Sequence, residues 1–202
     1  MVNALTIRDY AKEIKKMKTR AGFAALSLLF AAGHSFAAGT CDNNSLKGSY
    51  SFRVQGANLG LLDSANVFHP FTSPEPFAGI GQYMFDGEGS FTRTDYNVGL
   101  GTPAFPPSPV NDQGFRTGVT GTYSVSQDCT GTIVVGLLTT GTQIVLAVSV
   151  VDYGQAVFGV IKTEHASAFS SANNTSDLAC TGGCDVAVNL SFEAQFNSTR
   201  RR

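Results

Sequence analysis

The stretch QYMFDGEGSFTRTDY, Gln82 to Tyr96, decides how this chain folds. Tyr83 and Phe85 alternate with Gln82 and Met84, Asp86-Gly87-Glu88-Gly89 interrupts, and alternation resumes from Phe91 to Tyr96. Successive side chains of a strand point to opposite faces, so a two-residue period marks a strand with one buried face. A turn holding two glycines supplies backbone that tolerates positive φ. The stretch therefore predicts a β-hairpin. Its second strand poses a question of phase, because Arg93 and Asp95 share a face with Phe91. Facing outward, they are an ordinary surface pair of little energetic weight. Facing inward, they would orient a ligand's polar group. The outward reading is preferred.

The pattern extends in both directions. Tyr50, Phe52 and Val54 alternate with Ser51, Arg53 and Gln55. Val119 to Val125 and Thr132 to Thr139 flank the reversal Gln127-Asp128-Cys129-Thr130-Gly131, where Asp128 can accept hydrogen bonds from nearby backbone N–H groups. Thr142 to Val151, TQIVLAVSVV, is nearly all apolar, as expected of a strand covered on both faces. Asp152-Tyr153-Gly154-Gln155 turns the chain into Ala156 to Thr163, and Val186 to Phe196 alternates again. These segments add up to about eight antiparallel strands in up-and-down order, with no long helical spacing. The fold class is all-β: a closed, calycin-like barrel, with a β-sandwich as the alternative. Three proline-rich or polar stretches, near 59–77, 97–115 and 164–184, are expected to be long loops.

The N-terminus reads as a secretory signal over residues 1–37: basic up to Arg20, apolar over the 13 residues Ala21 to Gly33, then Ser35-Phe36-Ala37. Met17 opens a more compact version of the same signal. The apolar run is short of the roughly 20 residues that a spanning helix needs. Residues 38–202 are then a single exported domain, periplasmic or extracellular, with no membrane span after cleavage. A transmembrane barrel is disfavoured by the apolar strand Thr142 to Val151 and by the terminal Arg200-Arg201-Arg202. Removing 1–37 takes six of the 14 basic residues and two of the 15 acids, leaving eight against 13, a net charge of −5. An acidic domain with scattered cations does not suit nucleic acid.

Cys41, Cys129, Cys180 and Cys184 all lie in the exported part, an even count that favours disulfides. Four cysteines allow three connectivities. The two glycines between Cys180 and Cys184 permit local closure, which would leave Cys41 with Cys129. With only His69 and His165 in the domain and no paired C-x-x-C, neither a metal site nor a cofactor is expected. Catalytic motifs are missing too. There is no G-x-S-x-G elbow, and Cys129 follows an aspartate that would raise a thiol pKa. Asp86-Gly-Glu88-Gly89 reads as turn chemistry rather than a calcium loop.

Candidate ligand-binding residues follow from the simplest alternation: Tyr50, Phe52, Tyr83, Phe85, Tyr123 and Phe158 would line or fill the interior, with Arg53 and Arg93 as polar contacts.

Four elements carry a resemblance: L-K-G-S-Y-S-F from Leu46, F-D-G-E-G-S-F-T from Phe85, G-T-Y-S-V-S-Q-D-C-T-G-T from Gly121 and V-D-Y-G from Val151. Together they resemble a group of small secreted bacterial β-barrel proteins, similar in outline to allene oxide cyclase and lipocalin-like barrels. The resemblance implies an interior cavity and a pairing of Cys41 with Cys129. It carries over no catalytic residue. The expected function is an exported, non-enzymatic barrel binding a small apolar or amphipathic ligand inside. The alternatives are a structural or protein-interaction module with a filled core, exposing apolar residues near Phe68, Phe71 and Phe105, and a cyclase- or isomerase-like barrel using Arg53, Arg93 or Glu164.

Overall fold

The computed structural model describes residues 40–99, 102–103, 109–137, 142–169, 171–175, 178 and 180–198. The expected secretory segment, Phe105 and the terminal arginines lie outside them. The described residues fall within the compact unit Thr40–Arg202. Helix among them is confined to two three-residue 3-10 turns, η1 (Asn43–Ser45) and η2 (Asp152–Gly154). The strands are β1 (Lys47–Leu62), β2 (Phe68–Asp86), β3 (Ser90–Gly99), the two-residue β4 (Thr102–Pro103), β5 (Arg116–Val125), β6 (Thr130–Leu137), β7 (Thr142–Val151), β8 (Ala156–Phe169) and β9 (Cys180–Phe196).

Eight of these strands close on themselves. Each pairs antiparallel with its sequence neighbour, β3 passing directly to β5, and β9 returns to pair with β1 over Tyr50↔Phe196 to Leu62↔Asp185. β4 is a short annex on β3. The sandwich alternative would need two separate sheets; here every neighbouring pair around the ring is hydrogen-bonded. Closure leaves no free edge along the core strands, which is the physical gain of this architecture.

The core sits inside the ring. Tyr50, Phe85, Phe91 and Tyr123 pack edge to face at one end, with ring centroids 4.9 to 5.6 Å apart in the contacts around Phe85. That end is closed by η1. Leu46, fully buried, plugs it, and Tyr123 Oη donates to the Leu46 carbonyl at 3.0 Å. Asn43 Oδ1 accepts from Val125 N at 2.8 Å, and Tyr50 Oη donates to Gly154 O at 2.5 Å. The plug is therefore tied to the β5–β6 turn, and β1 to the β7–β8 turn; Tyr50, whose hydroxyl burial is the main disturbance, has its pKa pushed up to about 12.

The disulfide Cys41–Cys129 joins the chain just before η1 to the β5–β6 turn, with Cα atoms 5.0 Å apart. Asp128 accepts from Thr130 N and Oγ1 at 3.0 and 2.7 Å, so the Gln127–Gly131 element is a reversal fixed by its own side chains. Asp86 plays the same part between β2 and β3, accepting from the N–H groups of Glu88, Gly89 and Ser90, which hold its carboxyl below the usual range.

The long-loop expectation needs correction in all three places; of 97–115, residues 97–99 end β3 and Thr102–Pro103 form β4, which pairs with β3 alone among the described strands. Of 59–77, only the turn 63–67 is loop; the rest extends β1 and β2 as one hairpin. Pro70 and Pro76 lie in β2 where it pairs only with β1, since pairing with β3 begins at Phe77. Proline lacks the donor a central strand needs but tolerates such an edge. Likewise 164–169 and 180–184 are strand, with Glu164 opposite Val186 and Ala166 opposite Cys184. Cys184 is disulfide-bonded, and the side chain of Cys180 lies outside those described. The four extended strands β1, β2, β8 and β9 carry a second small apolar cluster of Leu61, Phe71, Ala166, Cys184 and Val186.

Candidate functional site

Between the two apolar clusters the ring interior turns polar. The cause is β3, whose inward face reads Phe91, Arg93, Asp95, Asn97, all buried, while Thr92 and Tyr96 are exposed. This overturns the outward reading of Arg93 and Asp95. Asp95 is 0% exposed and Arg93 6%. Phase decides it: Phe91 packs into the aromatic end against Tyr83 and Phe85, and every second residue after it must follow inward.

Space for these side chains comes from β2. Gly79 and Gly81 stand opposite Asn97 and Asp95. A Cβ on Gly81 would overlap the Thr94 carbonyl and sit 2.7 Å from Phe52 Cε1, and one on Gly79 would overlap Asn97 Oδ1. Only glycine leaves the wall thin enough.

Asp95 is the hub. Its Oδ1 accepts from Arg116 Nε at 2.8 Å and Asn97 Nδ2 at 3.0 Å, and its Oδ2 accepts from Arg116 Nη2 at 2.7 Å. This two-pronged match is the strongest form of a guanidinium–carboxylate contact. Arg93 Nε lies 2.5 Å from Asp95 Oδ2, but its N–H does not point along that line, so the contact is an ion pair rather than a hydrogen bond. Arg93 Nη1 donates to Tyr83 Oη at 3.1 Å, and its guanidinium lies over the Phe52 ring, 4.6 Å from the centroid. Arg116 reaches this layer from the start of β5 because a register shift between Arg93 and Asp95 opens the β3–β5 pairing.

Glu164 enters from β8. It is 9% exposed and makes no hydrogen bond or ion pair with any described residue. Burial alone pushes its pKa up to about 7. Glu164 and Arg93 line one small interior cavity of about 20 Å³, whose walls include Phe52, Ile144, Leu146, Leu190 and Phe192. That volume has room for one or two water molecules. Two larger hollows, of about 640 and 430 Å³, lie open on the outside of the ring. They hold no buried charge. The interior cavity, though smaller, is the place where apolar walls and unspent polar groups converge, as ligand sites do.

Six of the eight sequence candidates lie inside the ring: Tyr50, Phe52, Tyr83, Phe85, Arg93 and Tyr123 are buried, and Phe52, Tyr83 and Arg93 line the cavity. Two do not. Arg53 is outward, its side chain 63% exposed and paired with Glu193 at 2.7 Å. Phe158 is outward and 47% exposed. Its strand reads Ala156-Val157-Phe158-Gly159-Val160-Ile161, apolar in both phases, so alternation alone does not choose. The η2 turn does, by setting Val157, fully buried, on the inner face. Asn97 and Arg116 were not among the candidates. A sequence signal for Asn97 exists: it continues the Phe91 phase, opposite a strand that carries glycine in the matching phase. Arg116 carries no such signal, because a register shift brings it in.

Comparison with known proteins finds no family model, no curated protein and no solved structure that matches the chain.

Glu164 gives a pH prediction. Its folded pKa of about 7 stands above the ordinary 4.5, so the folded state holds the proton more tightly than the unfolded chain. The stabilisation is fully present below pH 4.5 and is lost as pH rises through 7. The change amounts to about 3 kcal/mol. Urea unfolding from pH 4.5 to 8 is expected to show this decline, and Glu164→Gln to flatten it. An unchanged slope in the variant refutes the assignment.

Proposed function

We propose that the protein is an exported β-barrel that binds a small amphipathic ligand inside the ring, without catalysing a reaction. The observation that carries this reading is the small interior cavity, with apolar walls, a stacked arginine and a largely buried carboxyl that makes no hydrogen bond or ion pair with any described residue. Buried polar groups are nearly always satisfied by protein or by something bound. The disulfide Cys41–Cys129 is compatible with an oxidising, exported location. The outward residues Arg53, Gln55, Thr92, Thr120 and Thr122 are polar and exposed, the reverse of a lipid-facing band. The D-C-T-G-T and F-D-G-x-G-x-F-T elements, with their resemblance to small secreted barrels, point the same way.

Native mass spectrometry of the protein purified from the compartment to which it is exported tests this. A bound small molecule that leaves on denaturation is the expected result. A bare protein mass, with no ligand captured from a fluorescent lipid-displacement panel, would count against the reading. It would favour a structural or protein-interaction module with a filled core. One observation supports that second reading: the interior is largely filled by its own aromatic rings, while Phe68, Ile80, Met84, Phe158 and Val160 are exposed. Phe71, expected with Phe68 in an exposed patch, is instead buried in the second cluster.

A further inference from the structure

We propose that the connection between β8 and β9 is a releasable lid over the long-strand end of the ring, latched by Glu75, and that an apolar ligand enters there when the latch opens. The inference rests on the interior-binding reading above and adds the route of entry and the group that controls it.

Ring order shows what this connection does. β8 and β9 are ladder partners, yet the described residues between them, 171–175 and 178, reach β2, with β9 and β1 intervening. There the Thr72 N–H donates to the Asn173 carbonyl at 2.9 Å, and Thr72 Oγ1 donates to the same oxygen at 3.3 Å. Thr72 precedes Phe77, where pairing with β3 begins, so that edge of β2 is open to the contact. Glu75 continues the inward phase of Gly79 and Gly81 and is 6% exposed. Its Oε1 accepts from Ser171 Oγ and from Asn173 Nδ2, the latter at 3.2 Å. Leu178 packs against the second apolar cluster. These contacts carry the chain across the mouth of the ring. Val186 of that cluster is the ladder partner of Glu164, so the covered surface borders the small interior cavity.

The two ends of the ring are held in different ways. At the aromatic end the disulfide Cys41–Cys129 staples the chain beside η1, and Leu46, fully buried, is the plug. At the long-strand end the described contacts across the mouth run through one carboxylate, the Thr72 backbone and hydroxyl, and one apolar side chain. Ala172 and Thr175 are exposed. Local opening selects segments with few buried apolar contacts, so this end opens before the stapled one. Withdrawing Leu178 uncovers Leu61, Phe71 and Val186, a hydrocarbon surface that favours an apolar group in its place.

Amide hydrogen exchange, with uptake of the neutral apolar fluorophore N-phenyl-1-naphthylamine by the exported protein, tests the proposal. In Glu75→Ala the Thr72 amide is expected to exchange about tenfold faster than in the wild type, the equilibrium effect of losing one hydrogen bond to a carboxylate. Ile133, fully buried in β6, should keep its protection. Fluorophore uptake is expected to accelerate by a similar factor. Ser171→Ala combined with Asn173→Ala removes the same contacts from the lid side and should behave alike, which keeps the test decisive if Glu75→Ala fails to fold. Thr72 exchange at the wild-type rate in these variants would overturn the latch. Faster Thr72 exchange with uptake at the wild-type rate would overturn the gate and leave interior binding standing. If no form takes up the fluorophore although Thr72 exchange has risen, the interior-binding reading falls with the proposal.

Discussion

Replacing Asp95 with alanine is expected to lower the unfolding free energy by about 3–5 kcal/mol. The carboxylate is fully buried and accepts from Arg116 and Asn97 while pairing with Arg93. Alanine removes the carboxylate that both guanidinium groups share inside the ring. Removing one partner of a buried pair costs far more than the pair contributes, because the remaining charge keeps its desolvation penalty. Urea denaturation of Asp95→Ala measures it. The contrast is a triple variant that also replaces Arg93 and Arg116 with methionine. It should recover much of the loss, since no unpaired charge is then buried. A loss below about 1 kcal/mol for Asp95→Ala alone would mean that the arginines escape to solvent.

The second large effect is at the aromatic end of the ring. Cys41→Ala together with Cys129→Ala is expected to cost about 4 kcal/mol, because the disulfide closes a loop of 88 residues and loop-closure entropy grows with length. The loss should be local as well as global. Cys41 precedes the η1 plug, whose contacts with Tyr123 and Val125 close the aromatic end. Hydrogen exchange at Val125 N is expected to rise before the β-ladder amides in the double variant. Equal stability of the reduced and oxidised wild type would refute this. The polar layer and the η1 end share no described hydrogen-bond partner, so their costs should add.

Much of the architecture was legible before any coordinates, and for local reasons. Alternation at Tyr50-Phe52-Val54 and Tyr83-Phe85 names the inward face because strand geometry has a period of two. Asp86 and Asp128 name turns because an aspartate can satisfy the N–H groups just after it. Where alternation failed, the sequence was ambiguous by its own chemistry. Val157-Phe158 is apolar in both phases, so the wrong residue was placed inside. Pro70 and Pro76 resemble loop residues because nothing local reveals that one edge of β2 is unpaired there.

The polar layer shows where the division falls. Local pattern alone specifies an all-β chain with short turns and puts Arg93 and Asp95 on the face of Phe91, because those facts depend only on neighbours within a few residues. It did not decide which way that face points. Surface charge is the common case, and burial of an arginine–aspartate pair becomes tolerable only when distant groups converge on it. Tertiary closure supplies those groups. It brings Arg116 across a register shift, sets Gly79 and Gly81 opposite the pair, stacks Phe52 on the guanidinium, and carries Glu164 in from β8. Each contact joins residues far apart in the chain, so only the closed ring decides that these charges form an interior site.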